Sequence, residues 1–114
     1  MAGDVVYIDV EDGSKRVMNN TKLYAKLLTK FKDDATLKEI HSTLEAGDMA
    51  AAQIATHTFK GLTANLSLTE LYKQCVELED QIKSGSFKSE QLSLVDETYA
   101  RTITEIDKVV EKYA

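Results

Sequence analysis

The chain is predicted to be all-α: an antiparallel up-and-down four-helix bundle with one or two short additional helices at the N-terminus. Three observations carry this. The 114 residues contain no proline, where average usage would give about five or six. Proline is the residue that helix interiors tolerate worst, because it deletes a backbone donor and clashes with the preceding turn. Apolar residues recur at helical spacing along nearly the whole chain. The five glycines, at 3, 13, 47, 61 and 85, fall at the borders of periodic stretches in every case but Gly61. Strand-like alternation occurs only over Val5–Val10, which is too short and too acidic at both ends to change the class.

Taken in order, a short helical piece is expected around Asp12–Met18, after a break at Gly13. Leu23, Leu27, Leu28 and Phe31 then make an amphipathic stripe over 21–32. Asp33-Asp34 interrupts it. Thr36, with Glu39 three residues on, has the spacing of a capping box, and Leu37, Ile40 and Leu44 continue on one face. Gly47 ends that helix and Asp48 caps the next. From Met49 to about Leu66, the residues Ala52, Ala55, Phe59, Leu62 and Leu66 share one side. Ser67 and Glu70 form a second capping box, opening a helix that turns Leu71, Cys75, Leu78 and Ile82 inward until Gly85 closes it. Ser89 is the expected cap of a last helix with Leu92, Val95, Tyr99, Ile103, Ile106, Val110 and Tyr113 inward, a spacing near the 3.5 residues of bundle packing. One domain is expected over residues 1–114, its core about 10–113, with no internal repeat.

Composition excludes several classes. A net charge of −5 opposes nucleic-acid binding, which needs clustered Lys and Arg. No apolar run approaches the ~20 residues of a membrane span. Met1 to Glu11 is acidic and lacks the basic start of a secretory signal. The single cysteine, Cys75, cannot form an internal disulfide and fits a reducing compartment. A cytoplasmic location is expected.

Chemistry centres on His57. On the helical wheel it points about 160–180° away from Phe59 and Leu66, among Ala50, Gln53, Ile54, Lys60, Gly61 and Ala64. The small residues Ala50, Gly61 and Ala64 leave the imidazole standing clear, and Lys60 at i+3 can reach over it. Glycine in mid-helix costs about 1 kcal/mol relative to alanine, and one reason to keep Gly61 is close approach of another protein. An approachable histidine with one cation and no acid or base partner suggests a covalent phosphoryl carrier, the lysine offsetting an added charge of about −1.5 to −2. From pattern alone the commoner reading is a solvated surface histidine beside a solvated lysine, with Gly61 a tolerated defect.

The run Ala55-Thr56-His57-Thr58-Phe59-Lys60-Gly61-Leu62-Thr63-Ala64-Asn65-Leu66 resembles the His-x-x-Lys-Gly signature of histidine-containing phosphotransfer (HPt) domains. The similarity extends to Leu44-Glu45-Ala46-Gly47-Asp48, to Asp12-Gly13, Arg16, Leu23-Tyr24, Leu27-Leu28 and Phe31, and to Leu71, Cys75 and Leu78-Glu79. It spans residues 5–113. Ser67 stands where the family often has glycine, and Ser14 and Asn19 where an apolar residue and a glycine are common.

The resemblance implies a stand-alone phosphorelay intermediate without kinase activity, in two-component signalling. It would accept a phosphoryl group on His57 from a receiver-domain aspartate and pass it to another receiver. Lys60 would stabilise charge on the phosphoryl oxygens. Gln53 would hydrogen-bond the phosphoryl group or the ring, or simply face solvent. Gly61, Ala64, Ala50 and Ile54 would meet the partner, with packing on a neighbouring helix the alternative for Ile54. No cofactor of its own is implied; Mg²⁺ would come with the receiver's acidic pocket. Partners would be response-regulator receivers or a hybrid sensor kinase, and a monomer is expected. The alternative is a helical adaptor that binds receivers without transfer.

Other groups are set aside. His41, beside Leu37, Ile40 and Leu44, reads as a boundary residue. The spacings of metal or di-iron sites are absent. Cys75 reads as a small buried apolar group. The charges of Asp33-Asp34 and of Glu77–Asp80 read as solvated, and a serine or cysteine triad is set aside because nothing flanking His57 orients it as a base.

Overall fold

A computed structural model describes residues 5–113, so the break expected at Gly3 lies outside the described residues. Six helices follow in order: α1 (Val10–Lys15), α2 (Thr21–Lys32), α3 (Thr36–Glu45), α4 (Met49–Asn65), α5 (Thr69–Ser84) and α6 (Ser89–Tyr113). The all-α bundle predicted from the pattern is the observed architecture. Helix α4 packs between α3 and α5, and α6 between α5 and α2. Helix α2 is therefore part of the bundle wall, and α1 is a short piece resting on it.

The core is apolar and continuous. Leu71, Cys75 and Leu78 of α5, Val95 and Ile106 of α6, and Ile40 of α3 are all fully buried. At its centre Phe31 stacks on Phe59 with ring centroids 5.7 Å apart, and Tyr99 closes on both at 6.0 and 6.3 Å. This aromatic cluster ties α2, α4 and α6 together, each pair adding about 0.5–1.5 kcal/mol beyond the area it buries.

Helix ends match the sequence reading in some places and correct it in others. Gly47 and Gly85 take the left-handed conformation, φ 74° and 72°, and Asp48 accepts a hydrogen bond from the Ala51 N–H at 3.1 Å. Neither capping box forms. The residue before α3 is Ala35, and the Thr36 N–H is held instead by the Asp34 carboxylate at 2.8 Å. Ser67 terminates α4 in the left-handed conformation, φ 56°. Its hydroxyl donates to Asp12 Oδ2 at 2.6 Å, so it occupies glycine's conformational place without acting as a cap for α5. Ser89 is the first residue of α6, not its cap.

Two corrections meet at Tyr24. The buried face of α2 is Tyr24, Ala25, Leu28 and Phe31, while Leu23 is exposed. The Tyr24 ring lies against Gly13, where a Cβ would sit 2.3 Å from it. Gly13 is thus inside α1, not a break before it, and is kept small by this ring. The Tyr24 hydroxyl donates to the Leu66 carbonyl at 2.6 Å, and the Asp9 N–H to the Ser67 carbonyl at 2.9 Å. The N-terminal segment is so fastened to the turn between α4 and α5.

Candidate functional site

Helix α4 carries one charged side chain, Lys60, in seventeen residues. Its outer face is correspondingly plain: Ala50, Ile54, His57, Thr58 and Gly61 are exposed. Ile54 is 68% exposed, which removes its packing alternative. Ala64 is half-buried one helical turn beyond Gly61. A Cβ added to Gly61 would meet no atom within 4 Å. The protein's own packing therefore does not demand glycine there, in contrast to Gly13.

The His57 ring stands in solvent with 68% of its side chain exposed, yet it is not free. Its Nδ1 lies 3.1 Å from Oε2 of Glu79 on α5. The other carboxylate oxygen, Oε1, receives Lys60 Nζ at 2.6 Å. Glu79 is 3% exposed, so one buried carboxylate holds both residues that the sequence singled out. Burial pushes the Glu79 carboxyl up, but the hydrogen bonds from Lys60 and His57 outweigh burial and hold it below the ordinary value of 4.5. The same bond holds the Lys60 ammonium above its ordinary range.

This arrangement sets the chemistry of the ring. An ionised carboxylate only accepts, so Nδ1 must carry a proton. The neutral ring then keeps its lone pair on Nε2. Glu79 thus fixes the ring plane and leaves Nε2 as the ring atom that holds the lone pair.

Glu79 corrects two expectations: that Glu77–Asp80 is wholly solvated, and that nothing orients His57. Glu77 and Asp80 are exposed; Glu79 is not. A signal was present, since Glu79 follows Cys75 by four and Leu71 by eight and so lies on the buried stripe. A carboxylate on such a stripe is rarely left unpaired. Lys60 is also differently placed than expected, turned to Glu79 instead of reaching over the ring. Gln53 is half-buried and makes no hydrogen bond to His57. Tyr72 and Val76 on α5, 38% and 41% exposed, extend the apolar face beyond the residues foreseen.

The remaining groups lie apart. His41 Nε2 meets Asp96 Oδ1 at 2.6 Å with both side chains half-exposed, bridging α3 and α6. Burial pushes the Cys75 thiol up to about 12. Among the described residues, no three His, Cys, Asp or Glu side chains gather as metal ligands, and no helix is long and apolar enough to cross a membrane.

The site is therefore an oriented, exposed imidazole on the uncharged outer face of a bundle helix. Comparison with known proteins specifies the class. The Hpt domain family model matches residues 26–112, and the chain belongs to that family. Its members are phosphocarriers of two-component signalling, intermediates of phosphorelays that work with receiver domains and kinases, and this chain is one of them. The fold is similar to the crystal structure of histidine-containing phosphotransfer protein B (HptB) from Pseudomonas aeruginosa PAO1. The TM-score is 0.84 at 22% identity, over 97% of this chain and 100% of that one. No curated protein sequence matches.

Proposed function

We propose that His57 is the phosphorylated residue of this phosphocarrier and that Nε2 is the atom that carries the group. The observation that supports this most directly is the Nδ1 contact to buried Glu79, which leaves the Nε2 lone pair facing solvent. In the forward step Nε2 attacks the acyl phosphate of a docked receiver. A P–N bond forms as the P–O bond to the receiver's aspartyl group breaks, and the aspartate leaves as a carboxylate. The reverse step hands the group to a second receiver. Lys60, one turn along α4, is the nearest cation for the phosphoryl oxygens and must give up part of its bond to Glu79 to reach them.

Ala50, Ile54, Gly61 and Ala64 form the uncharged face on which the receiver sits. Gln53, one turn before His57 on α4, is assigned a contact with the phosphoryl group after transfer. Any Mg²⁺ is assigned to the receiver, because the carboxylate at His57 is already held by two partners. The chain is assigned no kinase activity of its own and acts as a monomer in the cytoplasm.

The test is phosphorylation by a labelled receiver. Acid-labile, base-stable label is expected on the wild-type chain and none on His57→Gln. Label that persists on His57→Gln overturns the site; binding without label on the wild type leaves an adaptor.

A further inference from the structure

Helix α2 carries Lys22, Lys26, Lys30 and Lys32 and no acidic residue, in a chain whose net charge is −5. Lys32 is paired with Asp107 on α6 at 2.5 Å. The other three are exposed, and among the described residues none of them has a carboxylate within ion-pair distance. Cations on other helices are placed differently. Lys15, Arg16, Lys73 and Lys108 each meet an acid three or four residues away on their own helix.

The three lysines form a row. Spaced by four residues, they follow one another about 6 Å apart along the helix, within a sector of about 80°. That sector is roughly opposite buried Tyr24, Leu28 and Phe31. Like charges at this spacing repel and work against the helix, and Lys22 stands in the first turn, where the helix dipole is already positive. Nothing among the described residues offsets these costs. A cleft of about 470 Å³ runs beside the row, lined by the three lysines, Thr29 and buried Ala25.

Charge and shape together select the occupant. The apolar stripe of α2 is buried in the bundle, so this helix has no apolar face to press into a lipid surface. A polypeptide fits the row better. In an extended segment alternate side chains share one face and repeat about every 6.6 Å, close to the lysine spacing. Acidic residues at alternate positions would therefore each face one lysine.

We infer that the outer face of α2 is a docking surface for an extended acidic segment of a partner protein, held by Lys22, Lys26 and Lys30 with a small side chain of the segment in the cleft. The inference goes beyond the phosphoryl chemistry proposed for His57 and does not depend on it. Helix α2 meets α4 through its buried side, Phe31 on Phe59 and the Tyr24 hydroxyl on the Leu66 carbonyl. A segment on the lysine row thus holds the phosphocarrier by a face other than the uncharged one around His57.

The test uses the full chain and, as probe, a synthetic peptide of alternating glutamate and serine about eight residues long, enough to span the row. Shifts in ¹⁵N NMR are expected at the amides of α2 around Lys22, Lys26 and Lys30. The triple variant Lys22→Gln, Lys26→Gln, Lys30→Gln is expected to raise Kd for the peptide at least tenfold and to flatten its dependence on salt. Glutamine is a good helix former, so the variant is expected to fold. The control Lys83→Gln, Lys88→Gln, Arg101→Gln removes as many exposed cations elsewhere and is expected to stay within twofold of wild type. Equal weakening in both variants overturns the surface, leaving only general attraction between charges. Displacement of the peptide by phosphatidylserine vesicles also overturns it, by assigning the row to lipid. Labelling of His57 by a receiver is expected to stay within twofold of wild type in the α2 variant. A tenfold loss would make the row part of the receiver contact and overturn a separate docking surface.

Discussion

Glu79 decides what His57 can do. The carboxylate binds Nδ1–H with one oxygen and the Lys60 ammonium with the other, from a position closed to water. Replacing it by glutamine leaves an oxygen that can still accept from Nδ1–H but removes the charge that holds Lys60. Glu79→Gln is expected to fold, to keep the Nδ1–H tautomer in ¹⁵N NMR, and to lower receiver-to-His57 transfer about tenfold. Glu79→Ala should lose the tautomer preference as well; an unchanged ring spectrum in that variant would refute the role assigned to Glu79. Lys60→Ala is expected to slow transfer and to cost about 1–3 kcal/mol of stability, because it strips the strongest partner from a buried carboxylate. A rate equal to wild type would remove Lys60 from the mechanism. Of these three residues the sequence revealed His57 and Lys60, which share one helix and one local motif. Glu79 was harder to see, since its contact joins positions 22 residues apart in the chain.

At the scale of elements, two glycines inside helices have opposite reasons. Gly13 is confined by the Tyr24 ring. Gly13→Ala is expected to lower stability by about 1–3 kcal/mol through overpacking, read as a fall in Tm. Gly61 has open space around it. Gly61→Gln should gain up to about 1 kcal/mol of helix propensity, raising Tm, while reducing transfer from the receiver. A higher Tm with unimpaired transfer would mean that no partner approaches there. Helix existence and order were legible because the apolar stripes of α3 to α6 are long and regular. The ends were less so. Ser67 has the composition of a cap, yet the α4–α5 turn needs a left-handed residue there and its hydroxyl goes to Asp12. On α2, Leu28 and Phe31 are buried as the stripe predicts, but Tyr24 takes the inward place expected of Leu23, drawn there by α1 and by the Leu66 carbonyl, contacts that no local pattern contains.

Across the whole molecule, acid should loosen the same contacts that arrange the site. Glu79 has a folded-state pKa below its ordinary 4.5. Its contribution to stability is therefore complete above that value and is lost as pH falls through the lower folded value. Asp12, held down chiefly by the Ser67 hydroxyl and by Arg16, titrates in the same direction. Tm is expected to be level down to about pH 5 and then to fall, with a shallower fall in Glu79→Gln. Identical acid profiles for the two proteins would show that the pair contributes nothing to the folded state.

The pairing of Lys60 with Glu79 also bears on what the site ignores. Cells hold free phosphate and nucleotides in abundance, and an unopposed ammonium beside a nucleophile would attract them. Here the two charges cancel at contact distance, 2.6 Å, on a chain whose net charge is −5. The resting imidazole thus sits in a field with little pull on stray anions. On the proposed role of His57, this charge balance of three side chains favours a phosphoryl group delivered by a protein over the same group adrift in solution.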